Sequence, residues 1–206
     1  MLIKEVSTKA ATPEVFLDMD GVLADFFTEY AVLAGLPRGR SYRDIAPAKT
    51  DPTLNKMVGT DFFYHLPKFD SADQLVDIVV DLFGQYSICS SPLRGDNENS
   101  GYHKIRWIRK NLNPQPTRVL IESRKEKYAV QKNGSPNILI DDRGSIITRW
   151  EAAGGIGIKY QADEDSLDVV IRGLQRAVEI LKGQRKLDPQ QLTSLDRSIP
   201  VATSKQ

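Results

Sequence analysis

The stretch VFLDMDGVLADFF, residues 15–27, decides how the rest of the chain is read. It opens as the apolar run of a buried strand, yet Asp18, Asp20 and Asp25 follow in quick succession. A carboxylate taken out of water is costly unless a metal, a hydrogen bond or a proton compensates it. Three of them in a run that would fold well without charge require a chemical reason.

Similar apolar runs recur: EVFLD at 14–18, YSICS at 86–90, RVLIE at 118–122, NILID at 137–141 and GIGIKY at 155–160. Between them lie stretches of helical periodicity, SADQLVDIVVDLFG at 71–84, GYHKIRWIRKNL at 101–112 and EDSLDVVIRGLQRAVEILKG at 164–183. Continuous apolar strands alternating with helices predict an α/β fold, a doubly wound (Rossmann-like) parallel sheet with helices on both faces. Residues 13–27 and 69–183 would form this core. Residues 28–68 hold prolines and the aromatic cluster DFFYHLP but no convincing strand, and predict a small helical cap inserted after the first strand. A short segment, 1–12, precedes the core, and the polar stretch 184–206 reads as disorder or a loosely docked extension.

Composition narrows the partners. The chain of 206 residues can bury one sizeable core, and its 40% hydrophobic and 27% charged content is ordinary for a soluble protein. A balance of 28 basic against 27 acidic residues offers no stable attraction to nucleic acid or to an anionic membrane, so an anionic small molecule must be held by local groups. The single cysteine, Cys89, makes no internal disulfide or zinc cluster by itself and fits a reducing cytoplasm. MLIKEVSTKAATPE lacks the apolar core of a signal peptide, and LVDIVVDLF is short and interrupted by Asp77 and Asp81. The expectation is a soluble cytoplasmic protein, with a homodimer left open.

In an open parallel sheet, ligands bind outside the carboxyl ends of the strands. The first run ends in Asp18 and Asp20, the second in Ser90 and Ser91, the third leads to Ser123, Arg124 and Lys125, and the fourth ends in Asp141 and Asp142. One acidic strand end is as readily a helix N-cap; polar groups delivered by several strands to one edge are not explained that way. Asp18, Asp20, Asp141 and Asp142 repel one another, and share a site only if a cation neutralises them or some are protonated. All-oxygen ligands beside a phosphate suit Mg²⁺ better than a closed Ca²⁺ cage. A serine and a lysine on neighbouring strand ends can hold phosphate oxygens, by hydrogen bond and by point charge. One carboxylate can then attack phosphorus while a second protonates the leaving oxygen and later activates water.

These motifs resemble those of the haloacid dehalogenase superfamily of phosphotransferases, and more closely those of the 5'(3')-deoxyribonucleotidases. DMDGVLADF resembles the first motif, ICSSP the second, YHKIRWIRK the helix after it, SRK the lysine-bearing third, ILIDDR the fourth and WEAAGGIGI the closing strand, from Val15 to about Tyr160. The resemblance implies that Asp18 is the nucleophile and a metal ligand. It implies that Asp20 is the general acid/base and lends its backbone carbonyl to Mg²⁺. Ser90 would bind the transferring phosphoryl group with Ser91 beside it, and Lys125 would neutralise the phosphoryl oxygens, although SRKEK also offers Lys127. Asp141 would ligate the metal and Asp142 would hold a metal-bound water.

The implied substrate is a deoxyribonucleoside monophosphate. Lys104 matches a lysine that reaches the phosphate region in that family; spacing alone makes it one of several bases on a solvated helix face. Phe26 and Phe63 are candidates for a nucleobase slot, or else for the hydrophobic core of the cap. Trp107 and Trp150 are read as packing aromatics, His103 as locally satisfied, and Asp25 as a helix-start residue. The alternatives are the same chemistry on another small phosphate ester or a nucleic-acid 3'-phosphate end, and a non-catalytic phosphate-binding module.

Overall fold

A computed structural model describes residues 12–182. Of the expected N-terminal segment only Thr12 is described, and the polar stretch at 184–206 lies outside the described residues. The strands β1 (Val15–Leu17), β2 (Ser87–Ser90), β3 (Val119–Ile121), β4 (Ile138–Asp141) and β5 (Ile156–Lys159) each fall within one of the apolar runs. They pair in parallel in the order β3-β2-β1-β4-β5. The chain steps outward from β1 to β3, then crosses back to β4, so the order reverses beside β1. That reversal opens the crevice in which such sheets bind ligands.

Strand alternation divides the core. Val15, Leu17, Ile88, Ile138, Ile140, Ile156 and Ile158 pack with buried residues of α3 (Ala72–Phe83), α4 (Asn97–Asn111) and α6 (Leu167–Lys182). Phe16, Cys89 and Leu139 pack with Ile146, Ile147 and Trp150 of α5 (Gly144–Ala152). The fold is therefore the expected doubly wound α/β sheet, covered on both faces. Both tryptophans are fully buried and satisfied: Trp107 Nε1 donates to the Leu66 carbonyl at 2.7 Å and Trp150 Nε1 to that of Asn137 at 3.3 Å. Among the described residues no helix is long and apolar enough to cross a membrane.

Two helices differ from the periodicity. α4 begins at Asn97 rather than Gly101, because Ser100 ties its start: its hydroxyl donates to the Asp96 carbonyl at 2.5 Å and accepts from the Leu93 N–H at 3.0 Å. α5 has no helical signature in sequence, since β-branched Ile146, Ile147 and Thr148 disfavour it; burial of its Ile146, Ile147 and Trp150 side makes it form.

The segment between β1 and α3 contains α1 (Phe26–Leu33), α2 (Pro47–Asn55) and two 3-10 turns, Tyr42–Asp44 and Phe62–Tyr64. Its first helix starts inside the opening motif. Asp25 caps it, accepting from the Thr28 N–H at 3.1 Å. The segment is tied to the sheet side by exposed groups: Arg43 forms a two-pronged pair with Glu164, one prong at 3.0 Å, and Arg94 lies 3.6 Å from Asp51. Asn99 donates to the Thr60 carbonyl at 2.8 Å and Asp96 accepts from the Gly59 N–H at 3.2 Å.

Candidate active site

β1 stops at Leu17, and the chain turns at once: Leu23 and Ala24 both donate to the Met19 carbonyl, at 2.9 and 2.8 Å. The turn needs Gly21, whose φ is +74° and whose hypothetical Cβ would lie 2.7 Å from the Phe27 ring and 3.1 Å from the Asp142 carboxyl carbon. Only a residue without a side chain lets the end of β1 pass this close to the end of β4. Sequence reasoning missed Gly21 as a site residue; the Asp-Gly step directly after a strand was its signal.

Within this turn Asp18 is buried, one oxygen accepting from the Met19 N–H at 2.7 Å and the other 3.0 Å from Lys125 Nζ. Lys125 opens a 3-10 turn after β3, is fully buried, and donates to Asp141 Oδ2 at 2.7 Å. The other Asp141 oxygen accepts from the Arg143 N–H at 2.9 Å. Lys127, by contrast, is exposed and pairs with Glu122 at 2.8 Å. Of the two lysines that the third motif offers, the structure brings Lys125 to the carboxylates. Burial works against its charge, but Asp18 and Asp141 outweigh burial and hold its pKa above the ordinary lysine value.

A second lysine closes the other side. Lys104 of α4 is fully buried and so lies on no solvated face; its Nζ donates to Asp20 Oδ2 at 2.6 Å, Ser90 Oγ at 3.1 Å and the Ser91 carbonyl at 2.7 Å. Those three bonds match the three protons of an ammonium group. Asp20 Oδ1 is buried and has no hydrogen-bond partner among the described residues. Burial raises the Asp20 pKa above its ordinary value, Lys104 opposes the shift and Asp18 adds to it.

Asp18, Asp141 and Asp142 each offer an oxygen within 4.8 Å of the others. Burial first, then the Asp18 and Asp141 carboxylates, push Asp142 up to about 8. Three buried carboxylates served by one ammonium are short of positive charge, and an all-oxygen donor set fits a hard divalent cation. The carboxylate of Asp20 stands outside this group, turned to Lys104.

The aromatic candidates pack on one another. Phe26 lies nearly parallel to Tyr30, with centroids 5.4 Å apart, and to Phe63, at 6.2 Å, while Phe62 meets Phe26 and Phe63 edge-on. Phe63 is buried and carries Lys104 Nζ 4.7 Å from its centre. These rings pack on one another and on the main core, Phe63 buried within it and Phe26 and Phe62 half-buried against it. His103 packs edge-on against Tyr102, and its buried Nδ1 has no partner among the described residues, contrary to the local satisfaction expected of it.

No family model matches the chain. In sequence it is similar to the cytosolic-type 5'(3')-deoxyribonucleotidase of Homo sapiens, 29% identical over 156 residues that cover 66% of this chain and 74% of that protein. It is 27% identical over 149 residues to the mitochondrial 5'(3')-deoxyribonucleotidase of Mus musculus, covering 64% of this chain and 65% of that one. In fold it matches a HAD family hydrolase from Deinococcus radiodurans R1, solved with bound phosphate and sodium, at a TM-score of 0.50 and 14% identity over 84% of this chain and 97% of that one.

Proposed function

We propose that this chain, which has the fold of the haloacid dehalogenase superfamily and resembles its 5'(3')-deoxyribonucleotidases in sequence, is a Mg²⁺-dependent phosphomonoesterase for deoxyribonucleoside monophosphates. The observation that carries the reading is Lys125, buried and within 3.0 Å of Asp18 and 2.7 Å of Asp141. A single ammonium tied to two strand ends brings a nucleophile, a cation-binding carboxylate and a positive charge for phosphoryl oxygens to one point. The deoxynucleotide as substrate is supported by the likeness to two deoxyribonucleotidases.

In this reading a carboxylate oxygen of Asp18 attacks phosphorus, and the bond from phosphorus to the ester oxygen breaks. The departing oxygen takes its proton from Asp20, where unpartnered Oδ1 is the atom that carries it. Asp20 then removes a proton from water, the water oxygen attacks the phosphorus of the aspartyl-phosphate, and inorganic phosphate leaves with Asp18 restored. Ser90 and Lys125 hold phosphoryl oxygens, and Lys104 keeps Asp20 and Ser90 in register. Mg²⁺, held by Asp18, Asp141 and Asp142, would supply charge neutralisation between these carboxylates and the phosphate. The segment 28–68 would serve as a cap that keeps water from the phosphoryl-enzyme. The proposed compartment is the cytoplasm, in keeping with one free cysteine.

The test is phosphate release from deoxy- and ribonucleoside 5'- and 3'-monophosphates and sugar phosphates, with Mg²⁺ or chelator, by wild type and Asp18→Asn. Turnover of deoxynucleotides that needs both the cation and Asp18 is expected. Turnover confined to sugar phosphates would overturn the substrate.

A further inference from the structure

The outer face of α4 carries charge and apolar surface that the candidate active site does not use. Lys104 and Trp107 are buried, while Glu98, Tyr102, Arg106 and Lys110 are exposed. These four are spaced four residues apart and so form one continuous ridge along the helix. The ridge runs from an acidic end to a basic one, and Tyr102, 58% exposed, sits between them. Aromatic rings hold Arg106 in place: its guanidinium lies 4.2 Å from the centre of the Tyr64 ring and 5.6 Å from that of Tyr102. Among the described residues neither Glu98 nor Arg106 forms an ion pair.

Beside the ridge the surface is hollow. A cleft of about 500 Å³ lies between the start of α4 and the end of β3, lined by Asn97, Gly101, Tyr102, Ile105 and Ile121 among others. Asn97, Gly101 and Ile105 form the neighbouring row of the helix, and Gly101 leaves a gap in it. The gap has a cause: a Cβ at Gly101 would stand 3.2 Å from Ile121 Cγ2, so the helix approaches the strand where a side chain is missing. An exposed aromatic ring thus borders a partly apolar groove. Two helices that pack by their four-residue rows lay ridge into groove at a crossing of about 50°. Turned about a twofold axis beside Tyr102, a second copy of the chain would lay its ridge along this one in the opposite sense. Glu98 and Arg106 each stand four residues from Tyr102, about 6 Å along the helix axis, so each acidic end then meets a basic one and the two contacts form together.

We propose that this face of α4 is the interface of a homodimer, in which Tyr102 of each copy enters the cleft of the other and Glu98 of each pairs with Arg106 of the other. A polyanion drawn to the basic end would be repelled at Glu98, whereas a second copy supplies the complement of both ends. One helix and its flanking cleft make a small interface, so association in the micromolar range is expected. The test is sedimentation velocity on the full chain from about 1 to 100 μM, for wild type, Glu98→Arg, Arg106→Glu, the double reversal and Tyr102→Ala. All three side chains are exposed, so the monomer's fold does not depend on them. Wild type should dimerise. Each single reversal should raise the dissociation constant about tenfold or more, because it sets like charges together at both copies of the contact. Tyr102→Ala, which withdraws the ring from the cleft, should weaken the dimer about as much. The double reversal restores opposite charges and should return the constant to within about threefold of wild type. A wild type that stays monomeric throughout the series, single variants that dimerise as wild type does, or a double reversal as weak as the single ones overturns the proposal.

Discussion

At the carboxyl edge of the sheet, Lys104 and Lys125 are wholly buried, and each donates to a carboxylate at 2.7 Å or less. In the inserted segment and the loops it meets, Arg43 and Arg94 also find carboxylates, but their side chains are 55% and 89% exposed. The same kind of pairing has different consequences in the two places. A buried charge that loses its partner stays buried, whereas an exposed one returns to water, and its pair contributes about 0–1 kcal/mol. The sheet edge is therefore committed to one arrangement of charge, whereas the ion pairs of the insertion cost little to release and its buried contacts, Phe63 under Lys104 and the Leu66 carbonyl on Trp107, hold it to the sheet side.

The largest effect that sharpens this contrast is chemical. Asp18→Asn should lower kcat for the preferred substrate by about a thousandfold or more with the far-ultraviolet circular dichroism unchanged; retention of a tenth of the activity would remove Asp18 from the reaction. Next comes Lys125→Met, which leaves Asp18 and Asp141 facing each other with no ammonium between them. It should cost about 3–5 kcal/mol in urea unfolding in chelator, with part of the loss recovered on adding Mg²⁺. Lys127→Met should stay within about 0.5 kcal/mol of wild type in the same titration. Equal losses at the two lysines would break the comparison.

A pH series addresses the carboxylates directly. Without a divalent cation Asp142 is pushed up to about 8 by burial and by its carboxylate neighbours, against an ordinary value of 3.8. The folded state then binds more protons than the unfolded one across that interval, so stability falls as pH rises from about 4 towards about 8. In chelator the protein should melt higher at pH 6 than at pH 8, and saturating Mg²⁺ should flatten the difference; a melting temperature that rises over this range in chelator contradicts the electrostatics described. The smallest effect belongs to the insertion. Arg43→Ala should leave the urea midpoint indistinguishable from wild type, and a clear loss would mean that the pair with Glu164 is a structural anchor.

The strand ends were legible because burial and charge conflict there in the sequence itself: Asp18, Ser90 and Asp141 each close or follow an apolar run. What the sequence left open depends on approach in space. Lys125 and Lys127 lie two residues apart in one motif, and only the 3-10 turn decides which of them points inward. Lys104 lies among other basic residues on its helix, and its burial follows from how α4 is laid on β2. The aromatic residues of the insertion were ambiguous for the same reason. Their spacing says that they are apolar, and only their mutual stacking shows what they cover.

Cys89 sits on an inner strand of the sheet, between Ile88 and Ser90, in the face that α5 covers. Burial pushes its thiol up to about 12, so in the folded protein it is neither accessible nor ionised. Because it is the chain's single cysteine, it provides a built-in clock: a thiol reagent can reach it only when β2 opens to solvent. The rate of labelling thus measures how often the strand that carries Ser90 comes apart, in the same unmodified molecule whose turnover is assayed, and each substrate or cation that binds beside it should slow that clock by the amount it stabilises the closed sheet.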